Sequence, residues 1–145
     1  MNELVAGIDL CDEYTQISCG DEEQIWTFPT VLCRHKLADA WYVGEDAYAH
    51  TLSGEGNLTD KLVKLVLKDG TATLDGRRYT AQELLTLFLE RVLQIVMKES
   101  GQTGMFVGLV FTVRSLDERL VKVLYESGEK LGFSKEQIQI IGHSE

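Results

Sequence analysis

The chain has 145 residues, 44% of them hydrophobic, with 23 acids against 14 Lys and Arg and a formal charge of −9. This is enough chain for one domain with its own core, and it is too apolar for global disorder. The negative charge opposes a nucleic-acid backbone or an anionic membrane as the main partner.

Leu4–Leu10 (LVAGIDL) is a short apolar run ending beside an acid, which predicts a buried strand. Thr15–Cys19 and Gln24–Phe28 alternate in polarity, with Gly20-Asp21-Glu22-Glu23 as the turn between them. The three segments predict an antiparallel meander, with Pro29 ending its third strand. Residues 30–58 lack a clear period. Val31–Leu32 and Trp41–Val43 are candidate short strands there, and Gly44–His50 is a candidate short helix.

Asp60–Lys68 carries apolar residues at mostly helical spacing and stops at Lys68-Asp69-Gly70. Thr71–Tyr79 predicts a hairpin, since Asp75-Gly76 suits a type I′ turn. Thr80-Ala81-Gln82-Glu83 is a capping box, and the helix behind it is expected to run to about Glu99. Met105–Val113 predicts a central strand buried on both faces. Ser115–Glu118 reads as a second capping box. The helix it opens buries Leu116, Leu120, Val123, Leu124 and Leu131, with Gly132 as its stop. Ser134 begins a turn, and Gln137–Ile141 is a last strand. Strand–helix–strand at this spacing implies a parallel crossover.

The result is an α/β fold, a three-strand antiparallel meander plus a parallel strand–helix–strand unit. A small subdomain is inserted at about residues 44–100, within a single domain over 1–145. The start, MNELVAG, has no basic n-region, and the longest apolar run is far below the ~20 residues a membrane helix needs. Cys11, Cys19 and Cys33 are odd in number and contain no C-x-x-C pair, so they read as reduced thiols of a cytoplasmic protein. Residues 1–60 hold 12 acids and only Arg34 and Lys36, which places all the excess acidity in the first 60 residues.

A set of ordered matches then points to a family. Gly7-Ile8-Asp9-Leu10 is similar to G-I-D-L-G-T-T, the first phosphate motif of the seventy-kilodalton heat-shock chaperones. Phe28-Pro29-Thr30-Val31 resembles their P-S-V segment, and Val43-Gly44-Glu45-Asp46-Ala47 resembles V-G-x-x-A. Tyr79–Leu89 resembles the helix opening y-t-p-e-E-l. Phe111-Thr112-Val113, followed by Arg119, Gly128, Leu131 and Gly132-Phe133, resembles I-T-V-P…R…A-G-L. Gln139–Gly142 sits where those chains carry r-i-i-N-E-P. The order and spacing of these matches span nearly the whole chain. The sequence therefore resembles the N-terminal part of the actin-like ATPase superfamily, with its ribonuclease-H-like fold. Their second phosphate motif, D-x-G-G-G-T, and their adenosine motif have no counterpart here.

The resemblance implies a bacterial, chaperone-like parent that binds ATP and Mg between two lobes and signals to protein partners or clients by lobe movement. It implies that these residues are an N-terminal half-lobe, the rest of that lobe and the second lobe being absent. Alone, such a half-lobe is expected to be inactive and to hold no cofactor, and its uncovered surface is a candidate for homodimer formation. Asp9 takes the position that holds Mg through water. Leu10, Cys11, Asp12, Glu13, Tyr14 and Thr15 take the position of the phosphate loop.

That loop departs from the pattern, with Cys11-Asp12-Glu13 in place of Gly-Thr-Thr. Two carboxylates beside a triphosphate cost on the order of 1–4 kcal/mol per close contact. Three readings follow: the loop uses extra metal, it turns its acids outward, or the protein is a degenerate, non-hydrolysing scaffold acting by protein contact. Arg114 replaces the switch proline. Lys61 and Lys64 are the candidates for the catalytic lysine, and His143 falls on the glutamate position. For each of these three the alternative is a solvated surface side chain. Trp26, Trp41 and Tyr42 read as packing residues, Arg77-Arg78 as a solvated face, and His35 and His50 as lacking a partner at metal spacing.

Overall fold

The fold was analysed in a computed structural model that describes residues 3–19, 24–37, 40–74, 76–101 and 105–142. The alternation in the first strand decides which side of the sheet is inside. In β1 (Glu3–Leu10), Leu4, Ala6, Ile8 and Leu10 are buried, while Val5 between them is 43% exposed. β2 (Tyr14–Cys19) and β3 (Ile25–Pro29) continue the sheet antiparallel, with Ile8 opposite Ile17 and Ile17 opposite Trp26. Pro29 ends the edge strand, where its missing N–H costs no ladder bond. Gly20–Glu23 lie outside the described residues.

On the other side of β1, β9 (Met105–Val113) and β10 (Ile138–Gly142) are parallel to it. The sheet order is β10-β9-β1-β2-β3, a mixed α/β sheet with three antiparallel and three parallel-running strands sharing β1. Contrary to the expectation for β9, only one of its faces is fully covered. Leu109, Phe111 and Val113 are buried, whereas Val110 and Thr112 face a half-exposed side.

Three helices cover the buried face in one continuous core: α2 (Leu62–Leu67), α3 (Ala81–Ser100) and α4 (Glu118–Lys130). The α3 capping box forms as expected. Glu83 N–H donates to the Thr80 hydroxyl at 3.1 Å, and Thr80 N–H donates to the Glu83 carboxylate at 2.9 Å. At the far end of α3, the Trp26 indole N–H donates to Glu99 at 3.2 Å and ties the helix to β3.

The start of α4 corrects the sequence reading. Its N-cap is Asp117, whose carboxylate accepts from Arg119 N–H at 2.8 Å, so Ser115 caps nothing. Leu116 consequently lies before the helix and is 57% exposed. The competing carboxylate two residues nearer the helix wins because Asp is as good a cap as Ser and carries the charge that the helix N-terminus favours. After Leu131, Gly132 takes φ +102, a conformation that needs glycine.

The segment without a clear period is more regular than its sequence suggests. β4 (Leu32–His35), β5 (Trp41–Val43) and β6 (Gly56–Thr59) form a second antiparallel sheet, ordered β5-β4-β6, with α1 (Gly44–Leu52) against it. β7 (Thr71–Leu74) and β8 (Arg77–Thr80) form the expected hairpin, and Asp75 of its turn lies outside the described residues. No helix among the described residues is long and apolar enough to cross a membrane.

Candidate functional site

The loop after β1, Cys11-Asp12-Glu13, lies at the carboxyl end of that strand, where Leu10 pairs with Val113 of the parallel strand β9. Carboxyl ends of parallel strands are where open α/β sheets bind ligands. A cleft of about 210 Å³ opens here, lined by Leu10–Glu13, by Val113–Ser115, by Val63 and Leu67 of α2 and by Leu120 of α4.

Two buried threonines hold the loop in place. The Thr30 hydroxyl donates to the Cys11 carbonyl at 2.6 Å and lies 2.7 Å from the Thr15 hydroxyl. A hydroxyl has one proton, and Thr30 spends its own on the carbonyl, so Thr15 is the donor of the pair. Both side chains are fully buried. The Cys11 thiol donates to the Tyr14 carbonyl at 3.0 Å and closes the turn.

Asp12 makes the decisive contact. Its carboxylate accepts from Val63 N–H at 2.7 Å and from Lys64 N–H at 3.0 Å, across 51 and 52 residues of chain. These are first-turn amides of α2, which have no acceptor within their own helix. The residue at the α2 N-cap is Lys61, in the left-handed region at φ 54, ψ 46, with no side-chain cap bond. Asp60 therefore does not start the helix, and Asp12 supplies the missing cap from the other side of the cleft. Its charge also suits the positive end of the helix. Glu13 reaches Arg114 at 3.8 Å, but both side chains are more than three-quarters exposed. Such a screened pair contributes less than about 1 kcal/mol.

The residues predicted for the site are thus divided. Leu10, Cys11, Asp12 and Glu13 line the cleft. Asp9 alternates with Ile8 and Leu10, so its side chain is on the other face of β1, with Gln16 and Thr112 as its backbone neighbours. Tyr14 shares that face and is 53% exposed. Thr15 is spent inside the protein. Lys61 and Lys64 are exposed, and neither lines the cleft, although the Lys64 N–H holds Asp12. His143 lies outside the described residues.

A triphosphate does not suit this donor set. The first-turn amides nearest the loop are already satisfied by a carboxylate, and the charge beside them has the ligand's own sign. Among the described residues, no three or more His, Cys, Asp or Glu side chains are grouped to hold a metal ion. No disulfide joins Cys11, Cys19 and Cys33.

The family model for the C-terminal part of a family of unknown function, DUF5716, matches residues 13–145. The chain belongs to that family. The matched span of this DUF5716 domain begins at Glu13 in the cleft loop and includes the α2 amides that hold Asp12. No curated protein matches the chain.

One cluster escaped the sequence reading. His50 stacks on Tyr42, with ring centroids 3.6 Å apart and planes 19° from parallel, and its Nδ1 lies 2.7 Å from Glu55 Oε1. His50 thus does have a carboxylate partner, five residues on. The Ser53 hydroxyl donates to the same oxygen at 2.9 Å. The hydrogen bond from His50, then that from Ser53, lowers the Glu55 pKa below its ordinary value.

Proposed function

We propose that this domain has the ribonuclease-H-like fold of the actin-like ATPases and acts as a non-hydrolysing member of that group, working through protein contacts. The fold reading is supported by the strand order β10-β9-β1-β2-β3, with an antiparallel meander on one side of β1 and parallel strands on the other. The functional reading rests on one observation. The Asp12 carboxylate is bonded to Val63 and Lys64 N–H, so the loop that resembles a phosphate loop carries its own anion. A phosphate entering the cleft would have to displace a charge-assisted pair of bonds and then sit beside the acids that made them.

A second reading is an intact, ATP- and Mg-dependent chaperone-like parent. The match of Gly7-Ile8-Asp9-Leu10 to the first phosphate motif of the chaperones favours it, although the Asp9 side chain lies on the face of β1 away from the cleft-lining Leu10. Calorimetric titration of Mg-ATP into the chain, and into the longest natural chain that carries it, separates the two. The proposal expects no binding heat in either. Mg-dependent micromolar binding that disappears in Asp9→Ala would establish the second reading and overturn the first.

A further inference from the structure

The five-stranded sheet is covered on one side only. The core helices pack on the side of Leu4, Ala6, Ile8 and Leu10, and among the described residues the other face stays open. Strand register brings Val5 of β1, Tyr14 of β2, Ile25 of β3 and Ile141 of β10 to that open face. They are 43%, 53%, 58% and 41% exposed, and they are four of the eight large exposed hydrophobic side chains among the described residues. The other four are scattered over α1 and the loops. Scattered apolar side chains need no explanation, whereas a group on one face marks an interaction surface.

We propose that this face binds the same face of a second copy of the chain, as a two-fold, sheet-on-sheet dimer. Charge selects the partner. Two copies that each carry −9 repel one another over most of their surface. Across the rows from Val5 to Tyr14, Asp9 is the one charged side chain among the described residues, and it is already engaged within the chain. Copies therefore meet here with the least repulsion. Area points the same way. Five strands ~4.8 Å apart and ~20 Å long make a face of about 500 Å² in projection. Two such faces bring together about 1,000 Å² before side-chain relief adds to it, which reaches the lower limit for a specific interface. Antiparallel stacking of β1 on its counterpart places the two Asp9 carboxylates at opposite ends of the contact.

The plain alternative is a face wetted by solvent in a monomer, as one side of an antiparallel sheet commonly is. That account suits β2 and β3 but not the other half of the sheet. β10, β9 and β1 run parallel to one another, and they present Ile141, Val110 and Val5 to the open side. Parallel strands are almost always covered on both faces, and their β-branched apolar residues here fit a buried surface. Two sheets stacked ~10 Å apart, with their side chains interdigitated, supply that cover.

The test is the mass of the full chain in solution, by analytical ultracentrifugation from about 5 to about 500 μM. The expected result is a concentration-dependent passage from monomer to dimer. Ile25→Lys and Ile141→Lys, on the two outer strands of the sheet, are each expected to weaken the dimer about hundredfold, tenfold per copy, because two-fold symmetry counts every change twice. Leu37→Lys and Leu52→Lys, equally apolar and exposed but off the sheet, are expected to leave it unchanged. In a sample mixing ¹³C-labelled and unlabelled chains, filtered NOEs are expected from the methyl groups of Val5, Ile25 and Ile141 to the open face of the partner. These NOEs need no substitution, so a fold defect in one variant leaves the test intact. A monomer up to about 500 μM would overturn the proposal. So would a dimer that survives both changes on the sheet, or one that is lost with Leu37→Lys or Leu52→Lys. The outcome is independent of whether the cleft at Asp12 binds nucleotide.

Discussion

Replacing Asp12 by Ala removes both acceptors from the start of α2. The two bonds, at 2.7 and 3.0 Å, are charge-assisted, and the residue at the N-cap itself, Lys61, provides no side-chain replacement. Loss of a helix cap costs ~0.5–2 kcal/mol, and hydrogen bonds to a charged group ~1.5–3 kcal/mol. Asp12 is only partly buried, so water recovers some of this, and ~1–2 kcal/mol is expected. At ~2.1 cal/mol/K per residue, the unfolding entropy of this chain is ~0.3 kcal/mol/K, so the thermal midpoint falls by ~3–7 °C. Asp12→Asn keeps one acceptor oxygen and should lose about half as much. The local readout is amide hydrogen exchange at Val63 and Lys64, which should speed up more than exchange in α3. An unchanged midpoint together with unchanged protection at those two amides would refute the capping argument.

Three further outcomes follow from the same structure. Thr30→Val keeps the shape but leaves the Cys11 carbonyl and the Thr15 hydroxyl without their buried partner, so denaturant unfolding should show a loss of ~1–3 kcal/mol. Gly128→Val pushes a branched side chain from α4 into Ile138 of β10, and overpacking there should cost ~1–3 kcal/mol in the same assay, with the far-UV spectrum retained. Because Glu55 has a lowered folded pKa, its contribution is present above the unfolded carboxylate pKa and is lost as pH falls through the folded value. The pH profile of the thermal midpoint should therefore fall less steeply in acid for Glu55→Gln than for the wild type, and superimposable profiles would exclude the effect.

Local patterns carried the fold where the contacts that matter are local or strictly alternating. The apolar run Leu4–Leu10 marked β1, the alternation over Thr15–Cys19 marked β2, and Thr80 with Glu83 marked the start of α3. The start of α4 misled because Ser115 and Asp117 both suit a cap, and the spacing of Ser115 and Glu118 imitates a capping box two residues early. β6 escaped because Gly56-Asn57-Leu58-Thr59 carries a single large apolar side chain and owes its extended form to pairing with β4. β9 reads as covered on both sides because its residues are apolar, yet the side bearing Val110 and Thr112 is only half-buried among the described residues.

The candidate site was legible as a place but not as an arrangement. The loop at residues 10–13 does line a cleft, and the excess of acid there was visible in the charge count. The role of Asp12 was not visible, because its partners lie 51 and 52 residues away and are backbone amides that no motif encodes. The available clue was negative: Lys61, just ahead of α2, is a residue type that does not cap helices.

We propose that Asp12 occupies the place a phosphate would need. The most direct test is an NMR titration of the wild-type chain with Mg-ATP to millimolar concentration, following the Val63 and Lys64 amides. With the Asp12 carboxylate bonded to both, these two signals are expected to stay where they are. A saturable, Mg-dependent shift of both amides, as phosphate replaces the carboxylate, would contradict it.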